Sequence, residues 1–234
     1  MRAILRSASA MLPLLLVAAM ACACSWAVPG HPTAADNRAP LSFGPDLTAS
    51  QLDGILLDAP AVNKLMGATG MTLAETYDTM PGRDGATVSD PLCIGTVFNT
   101  IDDTFKPGTY TGVLGRLFGD DRHEADEGLV LFANSAAAQG FWTASKKTWD
   151  RCAGTHIAYT PADAKSPRLW TPRQRTQAGH VIAVVSDLEG GDGYTCMHAL
   201  TVKANVVVDV RTCGYDLGNQ AIDLTNALTA RFPG

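Results

Sequence analysis

Apolar and polar residues alternate through 194–202 and 206–213, the two halves of GGDGYTCMHALTVKANVVVDVRTCG, and glycines bound the stretch on both sides. Period-two alternation in segments rich in Val, Thr and Tyr predicts two strands, and the short gap between them predicts a hairpin. With Ala204 and Asn205 as the turn residues, Lys203 faces Val206 and every pair further out follows. Cys196 then faces Cys213 at a non-hydrogen-bonded pair, where the Cα atoms approach more closely and a cross-strand disulfide fits. The turn is the weak point of this register, because a type I′ turn needs φ > 0 at both central residues and Ala disfavours it. Met197, Ala199, Thr201, Val206, Val208, Val210 and Thr212 share one face, the expected core face. Cys196, His198, Leu200, Val202, Val207, Asp209, Arg211 and Cys213 share the other. There His198 faces Arg211, Leu200 faces Asp209, and His198 is within reach of Asp209 across the sheet. Such a polar cluster either lines a cleft or forms a solvated surface with one ion pair.

The same pattern reading orders the rest of the chain. Leu52, Ile55, Leu56 and Leu57 give an apolar helix face behind a Thr48 or Ser50 cap, and a shorter helix over 60–66 begins at Pro60 and stops at Gly67. Strands are expected at 70–79, 110–118, 127–133, 154–160 and 180–188, with 94–101 undecided between strand and helix. Residues 120–126 (DDRHEAD) and 161–178, with their charges and prolines, read as loops. The clearest helix is SAAAQGFWTASKKTWDRC, capped by Asn134 or Ser135, with Ala138, Phe141, Trp142, Ser145, Trp149 and Cys152 on one stripe. A stripe of this kind is core before it is a ligand platform. A last helix covers 218–231. Helices, sequential strands, a helix, more strands and a final helix predict an α+β fold with a mainly antiparallel sheet, covered by helices on one side.

The start of the chain has a different character. Residues 1–27 read as a secretory signal: Arg2 and Arg6, then an uncharged apolar run over 11–21 that is too short to span a bilayer. Small residues precede both Cys22 and Cys24, as at a lipoprotein processing site, although neither cysteine has Leu three positions before it. Lipid attachment is assigned to Cys22, with Cys24 as the alternative. Cleavage after Ser25-Trp26-Ala27 is the alternative that gives a secreted protein. Residues 28–47, rich in Pro, Ala and Gly, read as a flexible tether to one domain over 48–234. The 234-residue chain, 46% hydrophobic, is long enough for one sizeable core. Setting Cys22 and Cys24 aside leaves Cys93, Cys152, Cys196 and Cys213, an even number in an exported chain. The hairpin selects Cys196–Cys213 and so leaves Cys93–Cys152. The C-x₂-C spacing of zinc modules is missing.

Net charge is −5, and Arg2 and Arg6 are the only charges in the first 27 residues, so a processed chain is more acidic still. With no long basic run, the chain is a poor fit to nucleic acid or to anionic lipid surfaces. Membrane attachment is expected only through an N-terminal lipid.

CMHALTVKANVVVDVRTCGYDLGNQA with the helix ending Arg231-Phe232-Pro233 resembles the C-terminal part of the PknH-like extracellular sensor domain. LMGATGMTL (65–73), SDPLC (89–93) and the FW…W…C pattern of 141–152 match the same family in order, so the resemblance covers roughly 45–233. The family includes the extracytoplasmic domain of an actinobacterial receptor serine/threonine kinase and many envelope lipoproteins. The resemblance implies the same two disulfides, an envelope location and ligand sensing without a settled ligand.

Motif chemistry is sparse. There is no G-x-S-x-G elbow, no H-E-x-x-H, no phosphate-binding loop and no kinase signature. The five histidines are scattered singly, and the cluster around His123 (Asp120, Asp121, Glu124, Asp126) has no second ligand pair, so no metal or cofactor is expected. The basic cluster Lys165, Arg168, Arg173 and Arg175 beside Trp170 either holds an anion or is a solvated loop. The sequence therefore predicts a non-catalytic binding domain on the outer face of the membrane. Its ligand would be a small molecule, lipid or wall fragment, with His198, Asp209 and Arg211 as candidate contacts. A docking module for an envelope protein is the alternative, and a hydrolase with unrecognised machinery the remote one.

Overall fold

The computed structural model describes residues 45–233. The signal segment, Cys22, Cys24 and most of the expected tether lie outside them. In chain order the helices are α1 (Ala59–Met66), α2 (Asp102–Phe105), α3 (Ser135–Cys152) and α4 (Gln220–Ala230), with short 3₁₀ turns between. The strands are β1 (Thr72–Tyr77), β2 (Thr87–Val88), β3 (Gly112–Gly119), β4 (Glu124–Leu131), β5 (Ile157–Thr160), β6 (Arg168–Pro172), β7 (Thr176–Ala178), β8 (Val181–Leu188), β9 (Thr195–Lys203) and β10 (Val206–Gly214). All pair antiparallel in one sheet of order β1-β3-β4-β10-β9-β8-β6-β5-β2, with β7 alongside β8.

The hairpin β9–β10 lies near the middle of that sheet, in the register the sequence predicts: Lys203 opposite Val206, His198 opposite Arg211, Cys196 opposite Cys213. Its turn is not type I′. Only Ala204 takes a positive φ, 50°, as the first central residue of a type II′ turn does. Asn205 is buried and uses its side chain as a clasp, accepting the Leu47 amide at 2.7 Å and donating to the Leu47 and Phe132 carbonyls. Leu47 is itself buried, so the packed body takes in this residue of the expected tether.

Helices cover both faces of the sheet, which corrects the one-sided arrangement expected from the element order. On one face α1, α4 and the 52–57 segment pack on Met197, Ala199, Val206, Val208 and Val210. On the other, α3 brings Ala138, Trp142 and Trp149 against Ile182, Val184, Leu200, Val202 and Val207. The near-continuous Val run of β10 already carried the reason: a strand buried on both sides has no solvent face to alternate with. Disulfides Cys93–Cys152 and Cys196–Cys213 join the expected cysteines.

Local predictions hold where a cap or breaker is present and fail where tertiary pairing decides. Asp58 accepts the Ala61 amide, α1 opens one residue before Pro60, at Ala59, and Gly67 closes it at φ 68°. Asn134 caps α3 by accepting the Ala137 amide. The expected helix near 49–57 is only a 3₁₀ turn at Ala49–Gln51 followed by turns, although Leu52, Ile55, Leu56 and Leu57 are all buried. Strands β6 and β7 occupy the stretch read as loop, and β4 begins inside the charged segment, at Glu124.

Candidate functional site: a cleft beside a buried polar seam

Tyr77, at the end of edge strand β1, lies across β3 and β4 on the α3 side of the sheet. Two glycines clear its path. A Cβ on Gly115 would stand 2.1 Å from Tyr77 Cζ, and one on Gly128 would stand 2.1 Å from Thr100 Cγ2. The Tyr77 hydroxyl donates to Asp126 Oδ1 at 2.7 Å and shares a 2.8 Å hydrogen bond with Thr100 Oγ1. The Thr100 amide donates to Asp209 Oδ2 at 2.7 Å, and Asp209 Oδ1 lies 2.5 Å from His198 Nε2. A carboxylate only accepts, so this imidazole carries its proton on Nε2. Asn99 Nδ2 reaches the Asp126 and Asp209 carbonyls at 3.4 Å each.

This seam sews the 96–105 segment onto the sheet. Thr100 is fully buried and sits at φ 41°, a position that a β-branched residue occupies only when held there. Burial dominates the electrostatics. It pushes the Asp126 carboxyl up to about 7, with Tyr77, Asn99 and Arg211 pulling it back. Burial, and then the neighbouring Asp126 charge, hold the Tyr77 phenol well above its ordinary range. On the opposite face Glu127, whose Oε1 accepts the Leu57 amide at 2.8 Å, is pushed up to about 8 by burial.

The three candidate contacts on the hairpin are all interior: His198 is 2%, Asp209 0% and Arg211 8% exposed. The structure brings His198 and Asp209 together and turns Arg211 the other way, onto Glu124, with Nη2 3.0 Å from Cys196 Sγ and the guanidinium over Phe98. The face is therefore neither a solvated surface nor an open lining. Two members of the basic cluster are also occupied: Arg173 binds Asp187 with two hydrogen bonds, Arg175 binds Asp150 likewise, and the neighbouring Trp170 is buried. Asp120 accepts the Arg122 and His123 amides and the His123 ring, and the Arg122 amide chiefly holds its carboxyl below the ordinary range. Among the described residues no cluster of His, Cys, Asp or Glu could hold a metal ion.

One open space lies a layer further out, and a second, shallower one of about 600 Å³ lies by Gly70 and Asp120. A cleft of about 390 Å³ runs between α3 and the 91–108 segment. Ala137, Gly140, Phe141, Ala144, Ser145, Thr148 and Trp149 border it from α3, and Pro91, Leu92, Gly95, Asp103, Thr104 and Gly108 from the other side. It is fastened at both ends. The Cys93–Cys152 bond ties the foot of α3 to the facing segment, and Phe105 stacks on Phe141 at 4.3 Å near the other end. Trp149 is both core and wall, with its ring 4.6 Å from the His198 ring. His198 and Asp209 thus stand behind the cleft and hold Thr100, four residues before the wall residue Thr104. Sequence reasoning placed Trp149 in the core but missed the cleft. Its signal was the row of small residues on α3 (Ala137, Gly140, Ala144) beside the aromatic stripe.

The PknH-like extracellular domain model matches residues 47–231. The serine/threonine-protein kinase PknH of Mycobacterium bovis is 31% identical over 191 residues, which cover 80% of this chain and 32% of that protein. PknH of Mycobacterium tuberculosis H37Rv is 33% identical over 175 residues, 73% of this chain and 28% of that one. The chain thus spans about a third of the length of these relatives. The crystal structure of the extracellular domain of PknH from Mycobacterium tuberculosis superposes with a TM-score of 0.74 at 28% identity, covering 80% of this chain and 96% of that one. The fold agrees with that crystal structure, and the chain belongs to the PknH-like extracellular domain family.

Proposed function

We propose that this chain is a non-catalytic ligand-binding domain of the cell envelope, and that its ligand enters the cleft between α3 and the 91–108 segment. The observation that carries the reading is the cleft itself. Its volume of about 390 Å³ falls in the range of small-molecule sites, and its walls are mostly apolar with a few polar groups among them. His198 and Asp209 act as positioning residues, since they fix the wall through Thr100 from behind Trp149. A non-catalytic role is supported by the same burial: the His–Asp pair is closed off from the cleft, and its free nitrogen, Nδ1, has no partner. Anchoring through a lipid on Cys22, with Cys24 as the alternative, is part of this proposal. Among the described residues no helix is long and apolar enough to cross a membrane.

The test is native mass spectrometry of the full chain taken from its own envelope, wild type against Gly140→Leu. A Cβ at Gly140 meets nothing within 4 Å, so the larger side chain fills the cleft without disturbing the helix. Wild type should carry a bound small molecule that the variant lacks. An identical complement in both, or none in either, counts against the reading. The same spectra report the lipid, and Cys22→Ala should release the protein to the medium. A second reading, a groove for an envelope protein, is favoured by Leu92, which borders the cleft and is 66% exposed.

A further inference from the structure

The aromatic end of the cleft is linked to the point where the N-terminal chain enters the body. Phe105 and Phe141 stack there, and the Phe132 ring lies 6.5 Å from the first and 5.5 Å from the second. The fit is close: a Cβ on Gly108 would stand 3.3 Å from both Phe132 Cε1 and Phe141 Cδ2. Phe132 is also bound through its backbone. Its amide donates to the Asn205 carbonyl at 2.8 Å, and its own carbonyl accepts from Asn205 Nδ2 at 2.9 Å. The same side-chain amide holds both backbone groups of Leu47, accepting the N–H at 2.7 Å and donating to the carbonyl at 3.0 Å. Asn205 is 3% exposed, so a partner that moves away leaves a buried polar atom unpaired.

One amide plane therefore serves Phe132 and Leu47 together, and it cannot follow one without leaving the other. Close packing carries a displacement of Phe105 or Phe141 into Phe132, and the hydrogen bonds carry it on to Leu47. From Leu47 the chain runs back to the expected anchor at Cys22. We infer that the cleft is coupled to the hold on Leu47: a ligand that parts Phe105 from Phe141 shifts Phe132 and loosens the Asn205 clasp on the N-terminal chain. The inference gives the site proposed above its output and rests on that proposal.

Amide hydrogen exchange of the full chain, read by NMR at Leu47 against the interior amides of β9 and β10, tests it. Ala137→Cys, one turn before Phe141, reacted with N-phenylmaleimide sets an aromatic ring at that end of the cleft, and wild type given the same reagent is the blank. The labelled variant should exchange at Leu47 at least about tenfold faster than the unlabelled one, with β9 and β10 unchanged. Asn205→Ala sets the rate of an unclasped Leu47. Thr148→Cys with the same label, toward the disulfide end, should leave Leu47 as it is. Phe141→Leu, at a half-buried position, makes the test without a label and should also speed exchange at Leu47. Equal exchange at Leu47 in labelled and unlabelled Ala137→Cys, or a change no larger than that of β9 and β10, overturns the inference. The cleft as ligand site would still stand, because the native mass comparison of wild type and Gly140→Leu decides it separately.

Discussion

Asp209 accepts the amide proton of Thr100 at 2.7 Å, across 109 positions of sequence, and so joins the central hairpin to the segment that walls the cleft. The other oxygen of the same carboxylate holds His198, whose ring packs against Trp149 on the far wall. Both walls are therefore referred to one buried residue. Asp209→Ala leaves a buried imidazole and a buried amide without partners and should cost ~2–5 kcal/mol of stability. Asp209→Asn keeps an acceptor for one of them and should cost less. Urea unfolding with the disulfides intact measures the difference. Hydrogen exchange at the Thr100 amide should accelerate in the Ala variant beyond the change in global stability, and an unchanged local protection would separate Asp209 from the wall.

The path of Tyr77 depends on two missing side chains. Gly115→Ala and Gly128→Ala each place a Cβ 2.1 Å from a packed atom, Tyr77 Cζ in one case and Thr100 Cγ2 in the other. Overpacking of this kind costs ~1–3 kcal/mol. Tyr77→Phe removes the hydroxyl that serves both Asp126 and Thr100 and should cost ~1–2 kcal/mol. Because Gly115→Ala displaces the same ring, its double variant with Tyr77→Phe should be less destabilised than the sum of the two.

Stability should fall as pH rises through neutrality. Asp126 and Glu127 have native pKa values raised to about 7 and about 8, above those of the unfolded chain. In the window between the two values the native state binds more protons than the unfolded state, so the contribution is complete at acid pH and lost as pH climbs through 7 and 8. The partly exposed Asp120 and Asp187, whose values are lowered, act in the opposite sense only at more acid pH and are weakened by solvent. Chemical denaturation at pH 5 and pH 8.5 reads the slope, and Glu127→Gln should flatten it.

The two disulfides close loops of different length, with sequence separations of 59 for Cys93–Cys152 and 17 for Cys196–Cys213. Loop entropy puts their contributions at ~4 and ~3 kcal/mol. Paired Ala substitutions should follow that order in unfolding experiments. Only the Cys93–Cys152 pair should also change ligand binding, because that bridge fastens the cleft wall to α3.

Alternation along 194–213 was enough to set the hairpin, its register and, through Cys196 opposite Cys213, the pairing of all four cysteines. These are local or strictly periodic facts, and a strand has one spacing and a disulfide one reach. Asn134 and Gly67 marked helix ends for the same reason, since a cap is satisfied within a few residues of itself. What the polar side of the hairpin faces was not legible. His198 and Asp209 read alike whether water, a ligand or α3 covers them, and only the packing of Trp149 decided for the interior. The cleft left only the small residues Ala137, Gly140 and Ala144 as its trace in the sequence. It is a gap between two elements that the 109–134 stretch separates, held open by a disulfide and by an aromatic stack, and a gap has no residues of its own.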